Sequence, residues 1–242
     1  MLEVIELGYY YQKKVCFSNL NFKLEKNKKL AILGVNGQGK STLLRCISGA
    51  LKPKFGTVIK NENIAFLAQN PNFAFDYEVL DIVLMGGKFS FFNIPTKKDI
   101  DFASECLKFL NMQNYQNHKF GTLSGGQKQL VLFAKALYSK NEILLLDEPM
   151  SALDIANQDN ILTLIKNLDK TIIFTTHSPN HALAIADFSL LLFQDGYIYG
   201  KSDEILSAKN LSKLYNIRIE NTSLNIDSKT INLAMPIYSC NK

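Results

Sequence analysis

Gly34-Val35-Asn36-Gly37-Gln38-Gly39-Lys40-Ser41 satisfies the pattern G-x-x-x-x-G-K-[ST] at every required position. The apolar run Leu30-Ala31-Ile32-Leu33 leads into it, and Ser41-Thr42-Leu43-Leu44-Arg45 leads out with helical character. A strand, a glycine-rich loop and a helix, in that order, are what cradling a polyphosphate requires. The glycines let backbone N–H groups turn inward, and the helix adds the positive end of its dipole. Lys40 is then placed for the β- and γ-phosphates and Ser41 for a Mg²⁺ ion. The expected ligand is a nucleoside triphosphate.

The chain has 242 residues, 47% hydrophobic and 20% charged, an ordinary globular balance that one α/β domain can accommodate. A core of this size stands without disulfides or structural metal. Its net charge of +5 is spread along the chain without a dense Lys/Arg run, so a nucleic-acid partner is not expected. Cys16, Cys46, Cys106 and Cys240 form no C-x-x-C pair and lie at no metal-ligand spacing from a histidine. Cys46 and Cys106 fall at apolar helical positions and read as buried filler in a reducing compartment. The start carries no signal-peptide pattern, and no apolar run is long enough to span a bilayer. A cytosolic protein that reaches a membrane only through a partner is expected.

The fold class expected is α/β: a phosphate-loop core with a mostly parallel sheet and helices on both faces. To it are added an N-terminal antiparallel β part and an inserted helical subdomain. The first thirty residues carry β-formers in loose alternation, and residues 56–60 and 64–67 continue that character. Residues 96–110 place Ile100, Ala103, Leu107 and Leu110 on one helical face; residues 127–138 do so with Leu130, Phe133, Ala134 and Leu137. Strand, helix, strand then follow at 143–146, 155–168 and 171–175, and Asp195-Gly196 marks a hairpin. Within a single 1–242 domain this gives a nucleotide-binding core at 1–72 and 139–220, a helical part at 73–138 and a tail at 221–242. His118 and His181 read as surface or helix-end residues.

Ile143-Leu144-Leu145-Leu146-Asp147-Glu148 is an apolar strand ending in two carboxylates. Asp147 is the natural Mg²⁺ partner, and Glu148 is placed to polarise a water for in-line attack on the γ-phosphate. Leu123-Ser124-Gly125-Gly126-Gln127 precedes a helix and offers a second anion cradle. One phosphate loop needs no second cradle in the same site, so this one is expected to close over nucleotide held by another copy.

On these residues the chain resembles the ATP-binding cassette family, the ATPase subunits of ABC transporters. Residues 34–42 look like its Walker A loop and Gln69 like its Q-loop glutamine. Residues 123–127 are identical to its signature. Residues 144–148 look like Walker B with the catalytic glutamate, Ser151-Ala152-Leu153-Asp154 like the D-loop, and His177 like the switch histidine. Tyr11, or else Tyr10, falls where the family stacks an aromatic ring on adenine. Gln38 is bulkier than usual, and Met150 replaces the usual threonine or aromatic; neither removes a catalytic group.

The resemblance implies catalytic roles for Glu148, His177 and Gln69, with Gln69 also near Mg²⁺. It implies a head-to-tail dimer with a second copy, in which Ser124, Gly125, Gly126 and Gln127 cap the partner's ATP. An integral membrane permease and, indirectly, a periplasmic or lipid-anchored binding protein follow, with the chain peripheral on the cytoplasmic face of the inner membrane. The run Asp76-Tyr77-Glu78-Val79-Leu80-Asp81-Ile82-Val83-Leu84-Met85-Gly86 is similar to importers of metal chelates: iron-siderophore, haem, cobalamin and molybdate types. Residues 151–159 look closest to the molybdate type. Phe73, Phe75, Tyr77 and the run Phe89-Ser90-Phe91-Phe92 are candidates for permease docking. The alternatives are an exporter's ATPase or a non-transport cassette in DNA repair or translation; the chain has neither sustained heptads nor a second cassette.

Overall fold

The computed structural model describes residues 1–12, 14–68, 75–87, 94–227 and 229–239. These fall into two compact units, one of residues 1–61 and 162–242 and one of residues 62–161. Gln69, Phe73 and the Phe89–Phe92 run lie outside the described residues, as does Cys240.

The first unit opens with β1 (Leu2–Tyr11), β2 (Lys14–Leu24), β3 (Lys29–Leu33), α1 (Lys40–Ser48) and β4 (Phe55–Lys60). β1 lies between β2 and β4, antiparallel to both. Leu2, Val4, Leu7, Leu20 and Leu24 are all buried, the half-buried pattern of a sheet with one covered face. Glu6 is left-handed at φ 49, and the β1–β2 register shifts between Val4 and Leu7. Across that irregularity Gly56 has φ 74, and a Cβ there would run into the carbonyls of Ile5 and Glu6. β3 is buried along its whole length. Even Lys29 is covered, its Nζ donating to the carbonyls of Asn27 at 3.1 Å and Leu168 at 2.9 Å.

The second unit carries β5 (Ile64–Leu67), α2 (Val79–Leu84), α3 (Lys97–Phe109), α4 (Gly125–Tyr138) and β6 (Ile143–Leu146). α5 (Ile155–Asn167) begins in it and ends in the first unit. β5 pairs with β6 in parallel, from Ile64 opposite Ile143 to Leu67 opposite Leu146. This corrects the expectation that residues 64–67 continue the antiparallel N-terminal part. A four-residue apolar run has no period of its own, so only its partner decides its direction. α3 buries Ala103, Cys106 and Leu107, while Ile100, in its first turn, is 41% exposed. α4 is buried almost all round.

The chain then completes the first unit with β7 (Thr171–Thr176), α6 (Pro179–Ile185), β8 (Phe188–Phe193) and β9 (Gly196–Lys201). α7 (Ser202–Ile205), α8 (Ala208–Tyr215), β10 (Ile219–Ile226) and β11 (Lys229–Pro236) follow. β3 lies parallel between β7 and β8, and β9 closes an antiparallel hairpin with β8 through Asp195-Gly196. The tail expected at 221–242 holds most of an antiparallel hairpin of β10 with β11. Their alternation at Leu224, Ile226, Ile231 and Leu233 was the signal for it.

Gly56→Ala is expected to lower stability by about 1–2 kcal/mol from the left-handed backbone alone, and further through the carbonyl overlap. A urea midpoint shifted down at unchanged m-value is the check.

Candidate functional site

In the first unit, parallel pairing sets two expected groups at one sheet end. Leu33 of β3 lies opposite Thr176 of β7 and Leu191 of β8. Gly34 and His177 are the next residues on their strands, so the phosphate loop and the exposed His177 leave the sheet side by side. Gly37 and Gly39 adopt φ 79 and 92, which L side chains resist. A Cβ on Gly37 would meet nothing within 4 Å, so its constraint is conformational; one on Gly39 would sit 3.0 Å from the Cβ of Cys16. Asn36 is exposed, and Ser41 and Thr42 are half-buried in the first turn of α1.

Lys40 is buried, with its Nζ donating to the carbonyls of Gly34 at 2.8 Å and Val35 at 3.3 Å. The loop therefore wraps its own lysine. The first turn of α1 holds no acidic residue of its own to offset the positive end of the helix. Both features suit a polyphosphate.

Tyr11 ends β1 with its ring 49% exposed, edge-on to the buried Tyr9 at 4.9 Å. Tyr10 points to the other face of the strand, 38% exposed, its ring 6.1 Å from that of Phe55. His181 is half-buried at a helix end, in the first turn of α6, with its Nδ1 3.3 Å from the Thr176 hydroxyl. Burial, and secondarily the charge of His177, hold its pKa below the usual histidine value. His118 is exposed beside the Tyr115 ring.

In the second unit, Asp147 is 3% exposed, and its N–H donates to the Leu67 carbonyl at 2.9 Å, carrying the β5–β6 pairing one residue further. Glu148 follows, half-buried, in the left-handed region at φ 50. That backbone costs a non-glycine residue about 1–2 kcal/mol. The Ser151 N–H and hydroxyl both donate to the Glu148 carbonyl, at 3.1 and 3.0 Å, and hold the turn. No sequence pattern announces this conformation, which swings Glu148 off the strand line. Asp154 caps α5 by accepting from the Asn157 N–H at 2.8 Å.

Ser124 is the N-cap of α4: it accepts from Gln127 N–H at 3.3 Å, while Gln127 Oε1 accepts from Ser124 N–H at 3.0 Å. Ser124 and Gly125 are exposed, and this helix also has no acid in its first turn. A Cβ on Gly126 would lie 3.1 Å from the Ala152 carbonyl, so the signature helix start and the 151–154 segment touch. Cys46 and Cys106 are buried as expected, and burial pushes both thiols up to about 11. Phe75 is 73% exposed with the half-buried Tyr77 ring 6.0 Å away. Among the described residues no helix is long and apolar enough to cross a membrane.

The family model described as ABC transporter matches residues 17–151. The molybdate import ATP-binding protein MolC of Haemophilus influenzae is 43% identical over 223 residues, covering 89% of this chain and 88% of that protein. A Helicobacter pylori ATP-binding protein named for iron chelatin transport is 34% identical over 247 residues, covering 91% and 94%. Among solved structures, a transporter assigned to the metal-chelate ABC type, in an inward-facing conformation, superposes with a TM-score of 0.91 at 39% identity, covering 98% of each chain. A dimeric ATP-binding cassette in a post-hydrolysis state, bound to ADP and Pi, superposes at 0.76 with 26% identity, covering 84% of this chain and 99% of its own.

Lys40→Ala is expected to abolish nucleotide affinity, read as loss of fluorescent ATP-analogue binding; retained tight binding removes the phosphate-loop role. His181 adds a pH term. Its lowered folded-state pKa means that the unfolded chain binds more protons, so its contribution is intact above about pH 6.5 and is lost as pH falls below that. His181→Gln should flatten the decline of urea stability as pH falls below about 6.5.

Proposed function

The chain belongs to the ABC transporter family, whose cassettes bind and hydrolyse ATP, and from that premise we propose that it powers an importer of a metal chelate or oxyanion. The cargo class is iron-siderophore, haem, cobalamin or molybdate, drawn through a partner permease. The observation that carries this reading is the near end-to-end likeness to a metal-chelate type transporter, together with the identity to a molybdate import protein.

In this reading ATP is held by Gly34, Asn36, Gly37, Gly39, Lys40, Ser41 and Thr42, with Tyr11 stacked on the base. Ser124, Gly125, Gly126 and Gln127 of a second copy cap the phosphates, and Ser151 and Asp154 line the seam. Closure then depends on the γ-phosphate. Glu148 orients or deprotonates the attacking water, His177 contacts the γ-phosphate, and Gln69 links the site to the helical part at residues 73–138.

Mg²⁺ fits the donors on hand. No group of three His, Cys, Asp or Glu that could hold a metal occurs among the described residues. A hydroxyl at Ser41 and a carboxylate at Asp147, with Gln69, would hold the ion, and oxygen donors of this kind suit Mg²⁺. When bound, it neutralises charge developing on the phosphates. The chain then sits at the cytoplasmic face of the inner membrane through its permease, with a periplasmic or lipid-anchored binding protein upstream.

Glu148→Gln should keep ATP binding, lose turnover and trap the closed dimer; wild-type hydrolysis in that variant removes the base role. Charged substitutions at Phe75 and Tyr77 should uncouple ATPase from uptake in a reconstituted transporter. A fully coupled variant excludes that patch from docking.

A further inference from the structure

His177 stands inside a small hydrogen-bonded turn. The Thr176 hydroxyl oxygen accepts from the Ser178 N–H at 3.1 Å and so bridges the residue between them. A threonine that bonds the backbone two residues on makes an ST-turn, which fixes the backbone of the middle residue. The start of the next helix adds little support. Ser178, the N-cap of α6, makes no side-chain cap bond, and Pro179 at the first helical position has no N–H to offer. The other side is firm: Thr176 ends β7 opposite Leu33, the last residue of β3 before the phosphate loop. Thr176 is buried, while His177 beyond it is exposed. The turn thus depends on one hydroxyl, and that hydroxyl has a second partner. Its oxygen lies 3.3 Å from Nδ1 of the half-buried His181.

Counting protons gives His181 a definite form. The Ser178 N–H occupies one lone pair of the Thr176 oxygen, and the single hydroxyl proton needs an acceptor. Burial of Thr176 makes water a poor one. A neutral His181 with its proton on Nε2 presents a bare Nδ1 that takes it. Imidazolium carries a proton on Nδ1 as well, so it must donate to the same oxygen, and the hydroxyl proton loses its acceptor. Burial, and then the charge of His177, act in the same direction and hold the His181 pKa down. The elements packed on α6 are β3, β7, α7 and β11. β7 carries no titratable side chain, and Lys29 of β3 lies at the opposite end of its strand, level with Ile172. Asp203 and Glu204 of α7 are exposed, and Asp187, beyond the end of α6, pairs with Lys28. Lys229 of β11 sits opposite Ile226, at the far end of the hairpin from Ala234, whose N–H meets Asn180 Oδ1 at 2.8 Å. The charge that bears on His181 is therefore that of His177.

We propose that neutral His181 is a positioning residue for His177: it takes the Thr176 hydroxyl proton, holds the turn that aims His177 at the γ-phosphate, and loosens that turn when protonated; the inference rests on the proposed contact of His177 with that phosphate. The test follows steady-state ATP hydrolysis by the full chain between about pH 8 and 5.5. His181→Ala should lower kcat about three- to tenfold at the alkaline end, the worth of one hydrogen bond, with KM for ATP unchanged. His181→Asn, whose side-chain oxygen can stand near the place of Nδ1 and does not titrate, should restore kcat. It should also decline less than wild type as pH falls below about 6.5. Thr176→Ala should lower kcat to a like degree, and adding His181→Ala to it should cost little more. Independently of turnover, nitrogen-resolved NMR of the wild type should find neutral His181 protonated on Nε2. A neutral ring protonated on Nδ1 overturns the proposal. So do wild-type kcat in His181→Ala, a raised KM at unchanged kcat, additive losses in the double variant, or a His181→Asn profile that superposes on the wild type. His177→Ala separates the two ways of failing. If it keeps wild-type turnover, the γ-phosphate role of His177 is wrong and the role of His181 falls with it. If it loses turnover while His181→Asn keeps the full acid decline, only the role of His181 falls.

Discussion

The Lys40 ammonium is buried, an arrangement that costs several kcal/mol unless other groups replace its lost water. Gly34 and Val35 supply carbonyl acceptors from the same loop that the lysine closes. That exchange is possible only because the loop bends back on itself, and the left-handed Gly37 and Gly39 are what let it bend. The bend in turn depends on β3, whose buried length fixes where the loop starts and which strands flank it. A phosphate presented to this loop would offer the lysine a charged acceptor beside these carbonyls.

The helix starts differ in how their first turns are satisfied. α2 and α3 satisfy their own first turns with Asp81 and Asp99, each reaching back to its cap residue. The hydrogen bonds from Thr96 hold the Asp99 carboxyl below its usual range, the mark of a carboxylate committed to the helix end. α1 and α4 have no acid there, and both begin at glycines. Gln127 completes the α4 capping box without charge, so that end is structurally closed yet electrostatically open. α6 and α8 likewise start without a first-turn acid, so what sets α1 and α4 apart is the glycine at or beside the cap, which leaves the backbone N–H groups open to an anion.

What sequence reveals here tracks how local the determinant is. The phosphate loop, the Ser124 cap and the apolar strand before Asp147 are set by neighbours within a few residues, and each lies where its pattern places it. The direction of Ile64–Leu67 is not local: the same four residues suit either kind of sheet, and the pairing with β6 decides it. Glu148 is the sharper case. Its identity is legible, but its left-handed backbone arises from the turn closed by Ser151 and from no preference of glutamate. The C-terminal hairpin leaves only alternation in the sequence, while its attachment through Asn180, more than fifty residues earlier, is not local.

A seam assembled around phosphate charge is conditional by construction. With the γ-phosphate present, a cap such as Ser124 and Gly125 gains charge-assisted bonds; without it, the same groups return to water with little left to hold them.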